Sequence, residues 1–179
     1  LVREIDALGG EMAINTDKTC LQIRMLNTGK GPAVYSLRAQ SDKKLYHSTM
    51  TKTLENQTNL DVKQIMVTKL LVESGKIKGI ETELGEIYQA QCVILATGTY
   101  LKGKIIIGDC AYSGGPIGQR SAEELSVSLL ENGIQLMRFK TGTPARVDRR
   151  TLRFSEMSEQ KGDVKGHAFS FLSSLLVLC

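Results

Sequence analysis

Glycine and lysine spaced as Gly98-Thr-Tyr-Leu-Lys-Gly103-Lys104 could cradle a phosphate. A GxxxxGK loop that follows a strand offers backbone N–H groups and an ammonium to nucleotide oxygens. The same chemistry needs a serine or threonine hydroxyl on magnesium at the next position, where a helix must begin. Ile105 stands there instead, opening the β-branched run Ile105–Ile107, so the match is a decoy. The dinucleotide fingerprint GxGxxG is also missing: Gly29 and Gly31 are followed by Val34, and Gly114-Gly115-Pro-Ile-Gly118 has the wrong spacing. A dinucleotide held here would take its glycine loop from sequence upstream of Leu1.

A different nucleotide signal remains. The apolar run Cys92-Val-Ile-Leu95 ends at Ala96-Thr97-Gly98-Thr99. Such a run predicts a strand buried on both faces, as in a parallel sheet covered by helices. At the carboxyl end of that strand, a glycine lets backbone approach a nucleotide or flavin closely.

Basic residues gather twice. Arg24, Lys30, Arg38, Lys43, Lys44 and Lys52 face one acid, Asp42; Arg138, Lys140, Arg146, Arg149, Arg150 and Arg153 face one acid, Asp148. Lysine and arginine clusters are the footprint of a phosphate backbone, though a solvated helix face carries them too. Lys30 and Lys140 sit beside glycine turns that point side chains outward. No Ser-His-Asp or Cys-His grouping is evident, His47 reads as a surface residue, and no acid–base pair is nominated. The four cysteines show no CxxC spacing, which predicts reduced thiols, a cytoplasmic protein and no zinc site.

The chain's 179 residues are enough for one sizeable core and the beginning of another. With 41% hydrophobic and 23% charged residues, disorder is excluded. The net charge of +4 gives only mild attraction to polyanions. No apolar run approaches the roughly 20 residues needed to span a bilayer, so no membrane partner is expected. The opening residues read as helix interior without a starting methionine, as expected of a piece of a longer protein.

The elements follow from periodicity. Residues 1–8 predict a short helix stopped by Gly9-Gly10, and Leu21–Leu26 a strand. A helical pattern spans Tyr35 to about Gln57, with Tyr46, Met50 and Leu54 on one stripe. Residues 61–97 predict a β meander over 61–66, 67–73, 77–82 and 86–91 that returns to the buried strand 92–97. Ser121-Ala-Glu-Glu124 is a capping-box signature for a helix running to Asn132, with Leu125 and Leu129 inward and Gly133 as its stop. Residues 134–140 predict a strand.

Together these segments resemble the glucose-inhibited division protein A family, the large flavoprotein subunit of the enzyme that modifies the tRNA wobble uridine. The resemblance rests on Leu1-Val-Arg-Glu-Ile-Asp-Ala-Leu-Gly-Gly10, Arg24-Met-Leu-Asn-Thr-Gly-Lys-Gly-Pro-Ala-Val34 and Arg38-Ala-Gln40. It continues through Leu95-Ala-Thr-Gly-Thr-Tyr-Leu101, Tyr112-Ser-Gly-Gly115, Leu136–Arg146 and Phe169-Ser-Phe171. It covers about residues 1–172; beyond Phe171 the sequence leaves the pattern, as a truncation or shifted reading frame would make it.

The resemblance implies an α/β fold: a partial Rossmann-type FAD-binding domain over residues 1–139, with a β-rich insertion at 61–91. Residues 140–179 would start a second, inserted subdomain. It further implies an FAD-dependent enzyme that uses NADH and methylenetetrahydrofolate. With a GTPase partner, and as a homodimer, such an enzyme adds an aminomethyl or carboxymethylaminomethyl group to carbon 5 of the wobble uridine of tRNA. By position, Val67, Ala96, Thr97, Gly98, Thr99 and Ala122 fall at flavin-contacting places. At Ala122 only a backbone contact is open. Lys30, Arg38, Lys140 and Arg146 match basic positions near tRNA or cofactor phosphates. The family's catalytic cysteines lie outside this chain, so Cys20, Cys92 and Cys110 inherit no role, and the chain alone is expected to bind FAD weakly and to be inactive. Two rivals stay open: a flavin oxidoreductase with no RNA substrate, and a non-catalytic RNA-binding piece.

Overall fold

The two glycines after the first helix do different jobs. Helix α1 (Val2–Ala7) ends because Gly9 adopts φ +90°, which lets Gly9 and Gly10 donate back to the carbonyls of Asp6 (2.9 Å) and Ile5 (3.0 Å). A Cβ on Gly10 would lie 2.4 Å from Ile5 Cγ2, so only glycine fits the close turn. The computed structural model describes residues 1–142, 144, 147–163 and 167–173. It divides into two compact units, Leu1–Val62 with Arg146–Cys179, and Lys63–Ala145. These packing units cut the chain elsewhere than the functional boundary expected between residues 139 and 140.

In the first unit, helix α2 (Glu11–Thr19) follows at once and was not foreseen. Its buried residues are Ala13, Asn15, Asp17 and Thr19, so no apolar stripe betrays it. Polar bonds do the holding. Asn15 Nδ2 donates to the Tyr46 carbonyl at 3.1 Å, and Thr19 Oγ1 to the Asn15 carbonyl at 2.7 Å. The Asp17 carboxylate accepts the N–H groups of Phe169 and Ser170, each at 2.9 Å, and the Ser173 hydroxyl at 2.6 Å. Asp6 Oδ2 accepts the Phe171 N–H at 2.8 Å. Buried carboxylates of the first two helices thus dock a segment more than 150 residues away.

Strand β1 (Cys20–Leu26) pairs antiparallel with strand β2 (Ser36–Ser41), from Cys20 opposite Ser41 to Leu26 opposite Ser36. The helix expected from Tyr35 therefore starts later, as α3 (Lys43–Glu55). Asp42 sets that start: its side chain accepts the N–H groups of Lys44 and Leu45, both at 2.9 Å. The residues before it find backbone partners in β1, which outweighs their helical pattern. His47 is exposed on α3, as expected.

The second unit opens with the meander. Strands β3 (Val67–Glu73), β4 (Lys76–Thr82) and β5 (Ile87–Gln89) form an antiparallel sheet in sequence order. Strands β6 (Lys104–Ile107) and β7 (Cys110–Ser113) form a separate hairpin. Helix α4 (Glu124–Glu131) packs on β3. The small core is Leu70, Leu125 and Leu129, with Val67, Ile77, Ile80, Val93 and Leu101 against it.

Several expectations are corrected. Residues 61–66, 92–97 and 134–140 form no strand, and Ile94 is 91% exposed. An apolar run becomes a strand only when neighbouring backbone pairs with it, and no described strand forms a ladder with these segments. The capping box does not form: Ser121 donates to the Tyr100 carbonyl, and the helix starts two residues later, at Glu124, without a side-chain cap. Cys92 and Cys110 are free and exposed, but Cys20 is disulfide-bonded, against the reading of four reduced thiols.

Replacing Asp17 with Asn puts an amide nitrogen against groups that are themselves donors. We expect Asp17→Asn to lower stability by about 1–3 kcal/mol, as loss of a buried acceptor does. Urea unfolding of the full chain checks this; an unchanged midpoint would contradict the docking role.

Candidate functional site

The Leu70–Leu125–Leu129 core gathers residues that are distant in sequence. Leu125 and Leu129 are 4% and 2% exposed, which fixes the inward face of α4. At the open edge of β3, the Leu70 N–H has no strand to meet and donates to Ser128 Oγ at 3.0 Å. That buried bond locks the helix in register on the sheet. Gly133 (φ +80°) ends the helix, with Ile134 N–H returning to the Leu129 carbonyl at 3.0 Å.

The residues before α4 are tied to the loop after the apolar run. Ala122 N–H donates to the Tyr100 carbonyl at 2.9 Å, and Lys102 N–H donates to the Ala122 carbonyl at 3.0 Å. Leu101 and Ala122 thus form a parallel bridge. Next to it, Tyr100 N–H closes a turn on the Thr97 carbonyl at 3.1 Å, with Gly98 at φ +53°. A Cβ on Gly98 would meet nothing within 4 Å. The glycine is needed for its left-handed backbone, and the space beside it is open. Among the described residues, the N–H groups of Ala96, Thr97, Gly98 and Thr99 donate to no protein acceptor.

A band of charge surrounds this place. Glu123 accepts a hydrogen bond from Ser113, which chiefly holds its carboxyl below the usual range; Ser121, Lys102 and Arg138 act in the same direction. Arg138 Nη1 donates to the Lys102 carbonyl at 3.3 Å, and Arg120 pairs with Glu83 at 2.7 Å. Tyr100 Oη donates to Gln119.

Of the expected flavin-contacting residues, all lie in the second unit. Ala96–Thr99 and Ala122 are joined through Tyr100–Lys102, and Val67, half-buried at the start of β3, packs on the same core as Leu101. Both backbone polar groups of Ala122 are already engaged, so the backbone contact expected there has no free N–H to give. Lys140 is exposed in the second unit, Lys30 and Arg38 are exposed in the first, and Arg146 lies outside the described residues. A groove lined by Lys69, Leu71, Glu73, Lys78, Gln89 and Glu131 shares no residue with the glycine turn. Strand β6 occupies residues 104–107, where a phosphate loop would require the start of a helix.

The family described as Glucose inhibited division protein A matches residues 1–176. The chain belongs to that family. The match passes Phe171, where the pattern was expected to stop. Over 173 residues the chain is 58% identical to the tRNA uridine 5-carboxymethylaminomethyl modification enzyme MnmG of Heliobacterium modesticaldum, which covers 97% of the chain and 27% of that relative. It is 56% identical to the enzyme of the same name from Clostridium kluyveri, over 98% of the chain and 28% of the relative. The Aquifex aeolicus GidA structure in its form I crystal superposes with a TM-score of 0.89 at 48% identity, over 96% of the chain and 29% of that protein. The α/β architecture is that of the GidA structure, and the chain spans little more than a quarter of the family members it matches. Among the described residues no helix is long and apolar enough to cross a membrane, and no His, Cys, Asp and Glu cluster could hold a metal ion.

Leu129 is the most buried member of this core. Leu129→Ala should cost about 2–5 kcal/mol, against well under 1 kcal/mol for the half-exposed neighbour in Leu130→Ala. Thermal unfolding of both variants checks this; equal losses would show that the helix face is wrongly assigned.

Proposed function

We propose that this chain is the part of an FAD-dependent tRNA-modifying enzyme that forms one wall of the flavin site. The whole enzyme, with a GTPase partner and as a homodimer, adds an aminomethyl or carboxymethylaminomethyl group to carbon 5 of the wobble uridine. NADH and methylenetetrahydrofolate are its co-substrates, and it works in the cytoplasm. The observation that carries this reading is the 58% identity, across 97% of the chain, to an enzyme named for that modification. The Rossmann-type domain assignment, 1–139 with its insertion at 61–91 and a second subdomain from 140, belongs to the same proposal.

The residues present fit a nucleotide of this kind. The Ala96–Thr99 turn combines unspent backbone donors with open space at Gly98. Such donors can bond ring carbonyls or phosphate oxygens without a side chain in the way. Ala122 is held beside the turn by its two backbone bonds and offers a methyl surface, and Val67 steadies the strand from which the sheet begins. Bound flavin supplies reversible two-electron transfer. The chain's own contribution is placement: the bridge between Leu101 and Ala122 keeps turn and helix start together. With no GxGxxG loop of its own, the chain offers no helix N-terminus to a pyrophosphate, so by itself it binds FAD weakly and is inactive.

A β-branched residue at a left-handed position is strained by about 1–2 kcal/mol and fills the open space beside the turn. Gly98→Val in a full-length family enzyme carrying this segment should reduce flavin retention by about 10-fold or more. Absorbance of the purified protein and mass spectrometry of the tRNA wobble nucleoside check this. Full flavin content with normal modification would overturn the assignment of the turn.

A further inference from the structure

The hairpin of the first unit sets two arginines face to face. Arg24 of β1 is the direct partner of Arg38 of β2. Directly opposed residues of an antiparallel pair project to the same side, with Cα atoms about 4.5–5.5 Å apart. The same side carries Gln22 opposite Gln40, whereas the other side carries Ile23, which is buried. Like charges so placed repel and weaken the ladder.

Three other arginines have a carboxylate partner. Arg120 pairs with Glu83 at 2.7 Å, Arg150 with Asp148 at 2.6 Å, and Arg153 with Glu156 at 3.3 Å. Among the described residues, neither Arg24 nor Arg38 has an ion pair or a side-chain hydrogen bond. Asp163, which reaches this hairpin, is occupied by the Met25 N–H at 2.7 Å and by His167 at 3.5 Å. Arg24 is also half-buried, so part of its hydration is lost without a countercharge. Lys30, exposed in the loop joining the strands, adds to the same positive field.

We propose that Arg24 and Arg38 hold one phosphate-type oxyanion between them. Two guanidinium forks on facing positions can each give parallel N–H bonds to the oxygens of a single phosphate. An anion bound there converts cross-strand repulsion into a bridge between β1 and β2. The phosphate comes either from an RNA backbone or from a small phosphate ligand; the RNA source rests on the function proposed above, and the anion site does not.

The test uses the full chain and inorganic phosphate exchanged for sulfate-free chloride at constant ionic strength. Phosphate should raise the melting temperature of the wild type and of the surface control Lys76→Gln, because a ligand that binds only the folded state stabilises it. The rise should vanish in Arg24→Gln and in Arg38→Gln. Arg38 is exposed, so its variant keeps the fold if Arg24→Gln does not. A phosphate effect equal in all proteins, or absent from the wild type, overturns the site. A second arm places both substitutions in a full-length family enzyme and measures tRNA affinity against salt. A slope lowered by about 1 for each substitution assigns the phosphate to RNA. An unchanged slope, with the phosphate effect intact, keeps the site and assigns it to a small ligand, which removes RNA as the source.

Discussion

The second unit depends on a short backbone junction between Tyr100–Lys102 and Ser121–Ala122. The Tyr100 carbonyl accepts both Ala122 N–H and Ser121 Oγ, and the Ala122 carbonyl accepts Lys102 N–H. Each such bond is worth about 1 kcal/mol net. Together they join the end of the apolar run to the start of α4, and Leu125 and Leu129 then fasten that helix to β3. Without the junction the glycine turn would be a free loop. With it, the turn is a positioned rim over open space.

The first unit is held in another way. It buries few apolar side chains, and its second helix turns Asn15, Asp17 and Thr19 inward. Buried polar groups are costly unless bonded: Asn15 Nδ2 takes the Tyr46 carbonyl of α3, Thr19 the Asn15 carbonyl of its own helix, and Asp17 groups of residues 169–173, while Asn15 Oδ1 and Asp6 Oδ1 find no partner among the described residues. The consequence is a fold that depends on carboxylates as much as on hydrophobic burial. The Arg24–Arg38 pair stands out against this economy, since nearly every other buried or half-buried charge there has its partner.

How much was legible in the sequence follows from the kind of signal each element carries. The three middle strands of the meander, α1 with its glycine stop, and the inward Leu125 and Leu129 of α4 match the sequence reading, because their apolar spacing and turn residues act locally. Helix α2 was invisible because its buried face is polar. The start of α3 was misplaced because Asp42 was not weighed as a cap and the pairing of 36–41 with β1 is a long-range event. The run 92–97 was read as a buried strand because composition reports what a segment prefers to touch, not whether a partner strand is beside it. The turn at Gly98 is legible from the glycine that ends the apolar run, and Ala122 only from the family resemblance; their junction through Tyr100 and Lys102 carries no motif.

In the proposed function, the backbone of Ala96–Thr99 lies against a bound flavin nucleotide. Amide hydrogen exchange in a full-length family enzyme carrying this segment, measured with and without FAD, tests it most directly. Exchange at Thr97, Gly98 and Thr99 should slow on flavin binding, because donors with no protein acceptor would gain one. Exchange at those amides that is indifferent to FAD, while other parts of the enzyme become protected, would contradict it.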